Sequence, residues 1–217
     1  MPTREEYFAR WADLHGGYHP SSNWMVRVWL SLIYALARPL AALRVPPDVI
    51  TGFGGLLTAV AVWIASLGGR WVLLASTLIL LTGILDNLDG AVAVLSDRTT
   101  DFGYVLDSVV DRISDVLYVV AFWALGAPGW LCATAAVLAG LQEYARARAA
   151  AVGMSEIEVV TPSERPTRVL VTAMFLLGAG IYTGSAAGWA TAGAGTYAVA
   201  SAVGLTLVLA GIRRRLR

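Results

Sequence analysis

Lysine is absent. All 16 basic residues of this 217-residue chain are arginine, a pattern of GC-rich coding that carries no functional content by itself. Cysteine is nearly absent: the single Cys132 excludes a disulfide scaffold and a cysteine-based zinc site. Charge is scarce as well. Only 14% of residues are charged against the roughly 25% of an ordinary soluble domain, too few to cover a water-facing surface. The formal net charge of +1 gives no polyanion-binding signal, so no nucleic-acid partner is expected. What is present is apolar. At 57% hydrophobic residues and a mean hydropathy of +0.65 the chain cannot be disordered, and its length suits one domain. The class these limits leave is an all-α integral membrane protein.

A membrane-crossing helix needs about 20 mostly apolar residues. Runs of that kind occupy Val49–Leu67, Trp71–Leu95, Phe102–Leu125, Trp130–Ala151, Val169–Tyr182 with its flanks, and Trp189–Ile212. Gly68-Gly69, Gly126–Gly129 and Gly184–Gly188 supply turns between them. The expectation is six transmembrane helices. Trp24–Leu43 is apolar but carries Arg27 and Arg38, and is read as an interfacial helix whose arginines snorkel to the head groups; a seventh span is the alternative. The division that follows is an N-terminal interfacial segment, 1–46, and a membrane domain, 47–217. The first 20 residues hold Glu5, Glu6 and Asp13 and no apolar core, so they do not read as a secretory signal. Six spans put both termini on one side. If that side is the cytoplasm, fifteen of the sixteen arginines lie at or near it and only Arg70 lies opposite, as the positive-inside rule requires. The basic tail, Arg213 to Arg215 and Arg217, reads as an anchor to anionic lipid.

Acids inside membrane helices are costly and point to function. Here Asp86 and Asp89 are spaced i, i+3, and Asp107 and Asp111 i, i+4, so each pair shares one helix face. The polar turn Ser96–Asp101 makes an antiparallel hairpin that brings both pairs to similar depth, near the cytoplasmic surface. Four carboxylates converging in poor solvent must take up protons or bind cations. Hard oxygen donors without His or Cys select Mg²⁺ or Mn²⁺, and four Asp suffice for two ions. Gly90 and Gly103 lack a Cβ beside the acids, leaving room for a ligand. The alternative is helix-end acids facing water.

Asp86-x2-Asp89-Gly90-x2-Ala93, nine residues, then Gly103-x3-Asp107-x3-Asp111 resembles the signature of the CDP-alcohol phosphatidyltransferase family, D-x2-D-G-x2-A-R-x8-G-x3-D-x3-D. One position departs: Val94 stands where the pattern has Arg, with Arg98 or Arg112 as candidate replacements. The resemblance implies an interfacial helix and six spans, a homodimer, and an inner-membrane enzyme, bacterial in source, with a cytoplasm-facing site. It implies transfer of a phosphatidyl group from CDP-diacylglycerol to an alcohol with release of CMP. Asp86, Asp89, Asp107 and Asp111 would then hold a pair of metal ions, with Asp111 also the general base. Asp115, one turn on, reads as a supporting residue.

The family also carries a segment like Pro47-Asp48-Val49-Ile50-Thr51 near the cytidine, so Asp48 and Thr51, with Gly90, Ala93 and Gly103, are the nucleotide and CDP-lipid candidates; Asp48 also suits a helix cap. Arg146, Arg148, Arg165 and Arg168 can gather on one spot at the cytoplasmic face, and several guanidiniums suit a phosphate dianion. Tyr144–Arg148 and Glu164–Arg168 resemble segments of the family branch that makes phosphatidylinositol phosphate. The acceptor it implies is inositol phosphate, with glycerol phosphate or phosphatidylglycerol as the alternative. A cation-coupled transporter and a non-catalytic lipid-binding scaffold are the competing classes. The first would scatter acids over several spans; the second would not need all four Asp.

Overall fold

The structure, a computed structural model, describes residues 2–14, 17, 19–154 and 161–215; Arg217 of the basic tail lies outside them. Among the described residues there is no strand. Eight α-helices follow one another among the described residues: α1 (Arg4–Leu14), α2 (Trp24–Ala42), α3 (Pro47–Ser66), α4 (Trp71–Leu95), α5 (Asp101–Ala124), α6 (Gly129–Ala151), α7 (Arg165–Ile181) and α8 (Ala186–Arg215).

Among the described residues, four segments are long and apolar enough to cross a membrane: α2, α3, α4 and Thr183–Arg215, which includes α8. With them the chain is a multi-pass membrane protein. The set differs from the six runs read in the sequence. Helix α2, expected at the interface, is in it. Helices α5, α6 and α7 are not. Helix α5 carries Asp107, Asp111, Arg112 and Asp115 around its middle, α6 carries Gln142, Glu143, Arg146 and Arg148 toward its end, and α7 has 17 residues. The helices also wear their hydrophobic side chains outward: Trp63, Leu74, Leu81, Trp123, Val137 and Leu209 are exposed, the pattern of surfaces that meet lipid instead of water.

The chain divides into two compact units. The first comprises residues 1–56 and 81–111, that is α1, α2, the start of α3, the end of α4 and the start of α5. Its core is built from Tyr7 and Phe8 of α1, Leu30, Ile33 and Ala37 of α2, and Leu88, Ala91, Val92 and Leu95 of α4. Tyr7 packs beside Tyr34 with the rings tilted 35° and centroids 5.6 Å apart, and burial pushes its phenol up to about 12, so it is a neutral core residue. The Tyr34 hydroxyl donates to the Pro2 carbonyl (3.1 Å), and Trp29 Nε1 donates to Asn87 Oδ1 (3.3 Å), tying α2 to the chain start and to α4. A Cβ on Gly55 would lie 2.9 Å from Val110 Cγ1, so glycine there lets α3 come against α5.

The second unit comprises 57–80 and 112–217. Tyr118, Phe122, Leu176, Ala135, Ala139 and Ala194 fill its core with small and large side chains in alternation. Ser76 Oγ donates to the Ala173 carbonyl at 2.7 Å, joining α4 to α7.

Candidate active site

The acids sit where the first unit's α4 ends and its α5 begins. Leu88, Ala91, Val92 and Leu95 turn into the core, which leaves Asp86 on a half-buried face of α4. Thr100 precedes α5 and its hydroxyl accepts from the Gly103 N–H at 3.0 Å, a helix cap that starts α5 so that Asp107 and Asp111 follow one turn apart. Asp86, Asp107 and Asp111 each present an oxygen within 4.8 Å of the other two, all half-buried. Asp89 is outside this trio. It is 5% exposed, accepts from the Thr51 hydroxyl (2.6 Å) and from the Gly90 N–H (2.6 Å), and its charge interacts with those of Asp107 and Asp86. Three half-buried carboxylates this close repel one another unless a cation lies between them. An all-oxygen donor set without His or Cys fits a hard divalent ion, Mg²⁺ or Mn²⁺. The residues present therefore fit the metal.

The nucleotide candidates lie around the same hairpin. Asp48, in the first turn of α3, is beside the start of α5: a Cβ on Gly103 would stand 3.3 Å from Asp48 Oδ1 and 3.1 Å from Thr100 Oγ1, an approach only glycine admits comfortably. Thr51 binds Asp89. Gly90 is exposed with open space over it, and Ala93 is half-buried. Of the two candidates to replace the motif arginine, Arg98 donates to the Arg44 carbonyl (3.3 Å).

The second unit holds the arginines. Arg146 makes a two-pronged pair with Glu164, Nη1 to Oε2 at 2.9 Å and Nη2 to Oε1 at 2.5 Å. Glu164 also accepts from the Thr161 N–H (2.9 Å) and hydroxyl (2.8 Å). Burial pushes the Glu164 carboxyl up, but these bonds from Arg146 and Thr161 outweigh it and hold it below the usual glutamate range. Gln142, fully buried, donates to Thr161 Oγ1 and to the Ser163 carbonyl. Residues 161–164 are thus clamped from α6.

Arg168 is 2% exposed and spends every edge of its guanidinium on the protein: Nε to Ser163 Oγ (3.1 Å), Nη1 to Asp115 Oδ2 (2.6 Å), Nη2 to Glu143 Oε1 (2.9 Å). Arg112 lies 3.3 Å from both acids, and the Tyr197 hydroxyl donates to Asp115 Oδ1 (3.2 Å). Arg165 is half-buried and Arg148 exposed. Arg168, read in the sequence as a phosphate ligand, is in this structure the buried centre of an ion-pair network. Asp115, read as a supporting residue, is its first partner. Sequence reasoning passed over Glu143 and Tyr197. Glu143 carried a signal, since an acid within an apolar helix is a functional candidate by the rule that singled out the four Asp; Tyr197 carried none.

The CDP-alcohol phosphatidyltransferase family profile matches residues 44–208. Archaetidylinositol phosphate synthase of Methanothermobacter thermautotrophicus is 33% identical over 149 residues, which are 68% of this chain and 74% of that protein. Phosphatidylinositol phosphate synthase of Mycolicibacterium smegmatis is 33% identical over 158 residues, 67% of this chain and 68% of that one. Among solved structures, the phosphatidylinositol phosphate synthase of Mycobacterium tuberculosis with CDP-DAG bound superposes with a TM-score of 0.70 at 23% identity, covering 84% of this chain and 94% of that one. A second crystal structure of that enzyme, with manganese and citrate, gives 0.69 at 24% identity over 83% and 88%. At these identities the two structures speak for the fold. The profile and the sequence relatives, together with the trio of carboxylates that fits a divalent ion, decide the matter: this chain belongs to the CDP-alcohol phosphatidyltransferase family and is a metal-dependent, CMP-forming transferase.

Proposed function

We propose that the chain transfers the phosphatidyl group of CDP-diacylglycerol to inositol phosphate. The observation that carries the reading is the convergence of Asp86, Asp107 and Asp111 within one ligand sphere; the synthase names of the relatives support the choice of acceptor. Asp86, Asp89, Asp107 and Asp111 would hold the metal, Asp89 being kept in place by Thr51. When bound, the metal neutralises the diphosphate and stabilises the departing CMP. The chain's own groups do the rest. Asp111 takes the proton of the acceptor hydroxyl as its oxygen bonds to the lipid-bearing phosphorus and the bond from that phosphorus to CMP breaks. Asp48, Thr51, Gly90, Ala93 and Gly103 receive the nucleotide end, with the open space over Gly90 as the entry. Arg146, Arg148 and Arg165 supply the acceptor's phosphate contacts, and Arg168 holds the 161–164 segment through Ser163.

The same reading takes α3 to α8 as six spans and α2 as the interfacial helix, with residues 1–46 outside the membrane domain 47–217. The acids of α5 are then a functional departure from an apolar span. Both termini and the site lie on the cytoplasmic side of a bacterial inner membrane, and the enzyme works as a homodimer.

The test is CMP release from CDP-diacylglycerol and Mg²⁺ by purified protein offered a panel of alcohols. Release with inositol phosphate and not with glycerol phosphate or phosphatidylglycerol is expected. Release only with glycerol phosphate would replace the acceptor and leave the chemistry. Release with none would favour a lipid-binding scaffold. Arg165→Ala is expected to raise KM for the phosphorylated acceptor with kcat nearly unchanged.

A further inference from the structure

Helix α1 lies outside the residues the family profile matches, 44–208, yet it reaches the hairpin that carries the acids. Arg10 Nη1 donates to the Val94 carbonyl at 3.1 Å and pairs with Asp97 Oδ1 at 2.6 Å. Val94 is the position where the family pattern has Arg. It is also in the last turn of α4, where carbonyls lack partners and a cation is favoured by the helix dipole. Asp97 is the residue at which the chain turns out of α4. Its φ is 53°, a left-handed conformation that glycine normally takes, and the Arg98 N–H returns to the Ala93 carbonyl (2.9 Å) across it. Five residues separate the end of α4 from the start of α5, so this turn sets how the Asp86 side of the hairpin meets the Asp107 and Asp111 side. Tyr7 and Phe8 share one buried core with Leu88 and Val92 of α4, and Arg10 follows them in α1.

We propose that Arg10 is a positioning residue for the metal site: from outside the residues the family profile matches it grips the α4 terminus and the Asp97 turn, bringing a guanidinium to the backbone of residue 94, whose side chain is Arg in the family pattern. The two arginines considered as replacements are engaged elsewhere, Arg98 with the Arg44 carbonyl and Arg112 with Asp115 and Glu143, whereas the Arg10 guanidinium meets Val94 and Asp97 directly. The proposal rests on the metal-holding role of the acids. The Arg10–Asp97 pair is exposed, 43% and 77%, and exposed pairs add little to global stability. The effect therefore belongs to metal affinity and not to folding.

The experiment is a Mn²⁺ titration of the full-length protein in detergent, read by the loss of free-Mn²⁺ electron paramagnetic resonance signal, with no substrate present. Groups that support metal ligands typically change affinity 10- to 100-fold. Because Arg10 acts through backbone, Arg10→Ala is expected at the low end, about tenfold weaker, with an unchanged thermal midpoint. Arg10→Lys, which still donates to the carbonyl, stays close to wild type. Asp97→Asn, which tolerates the left-handed turn, falls between. Unchanged Mn²⁺ affinity in Arg10→Ala overturns the proposal, and so does an equal loss in the alanine and lysine variants accompanied by a lowered thermal midpoint. Asp107→Asn is the reference for a lost site. Wild-type protein that binds no more Mn²⁺ than Asp107→Asn would overturn the metal role of the acids and this proposal together; a wild-type site unaffected by Arg10→Ala would overturn the proposal alone.

Discussion

Asp107 and Asp89, on successive helices, show how the same residue type is held in different ways. Asp107 presents an oxygen within 4.8 Å of those of Asp86 and Asp111, a set of like charges that a shared cation would neutralise. Asp107→Asn is expected to reduce CMP release by about 100-fold or more while the protein still inserts and runs as a single species on size exclusion; retained turnover would contradict its role. Asp89 has two protein donors of its own, Thr51 and Gly90. The spacing of the four acids was legible in the sequence because helical periodicity is local. That one of the four would be held by a hydroxyl from α3 was not, because Thr51 and Asp89 are 38 residues apart.

At the scale of elements, the arginines of α6 and α7 do two kinds of work. Arg168 and Asp115 are both almost fully buried, at 2% and 6%. Asp115→Ala would strand a buried guanidinium, a change that costs about 3–5 kcal/mol, and thermal unfolding in detergent should show it. The paired change Asp115→Leu with Arg168→Met removes both charges and is expected to cost less than the single one. Glu164 clamps the residues just before α7, and its carboxyl is held below the ordinary glutamate range by Arg146 and Thr161. A carboxyl depressed in the folded state contributes stability above its unfolded value and loses it as pH falls through the folded one. The clamp therefore persists through the ordinary glutamate range and opens only at more acid pH. Glu164→Gln imitates the open clamp at neutral pH and should raise KM for the phosphorylated acceptor about tenfold, with kcat little changed. The sequence marked these arginines by their charge and by the helix boundary they straddle. It could not say that Arg168 faces inward, since its partners come from α5 and α6.

For the whole molecule, the proposed sidedness has a direct test. Arg70, in the turn before α4, and Thr99, in the turn after it, are both exposed, and Cys132 is buried, so the native thiol gives little background. Arg70→Cys and Thr99→Cys in intact cells are expected to label with a membrane-impermeant maleimide from outside and only after lysis, respectively; the reverse order would invert the orientation. Apolar content, the succession of helices from α2 to α8 and the acid motif were determined by the sequence alone, because hydropathy and helical spacing are properties of neighbours along a chain; α1 was not read there. Tertiary structure decided what distant residues do to one another. It drew three acids into one sphere and gave the fourth to Thr51, turned Arg168 from a ligand candidate into a buried brace, and brought Arg10 to the end of α4. Each of these depends on packing between segments far apart in the chain, where local spacing carries no information.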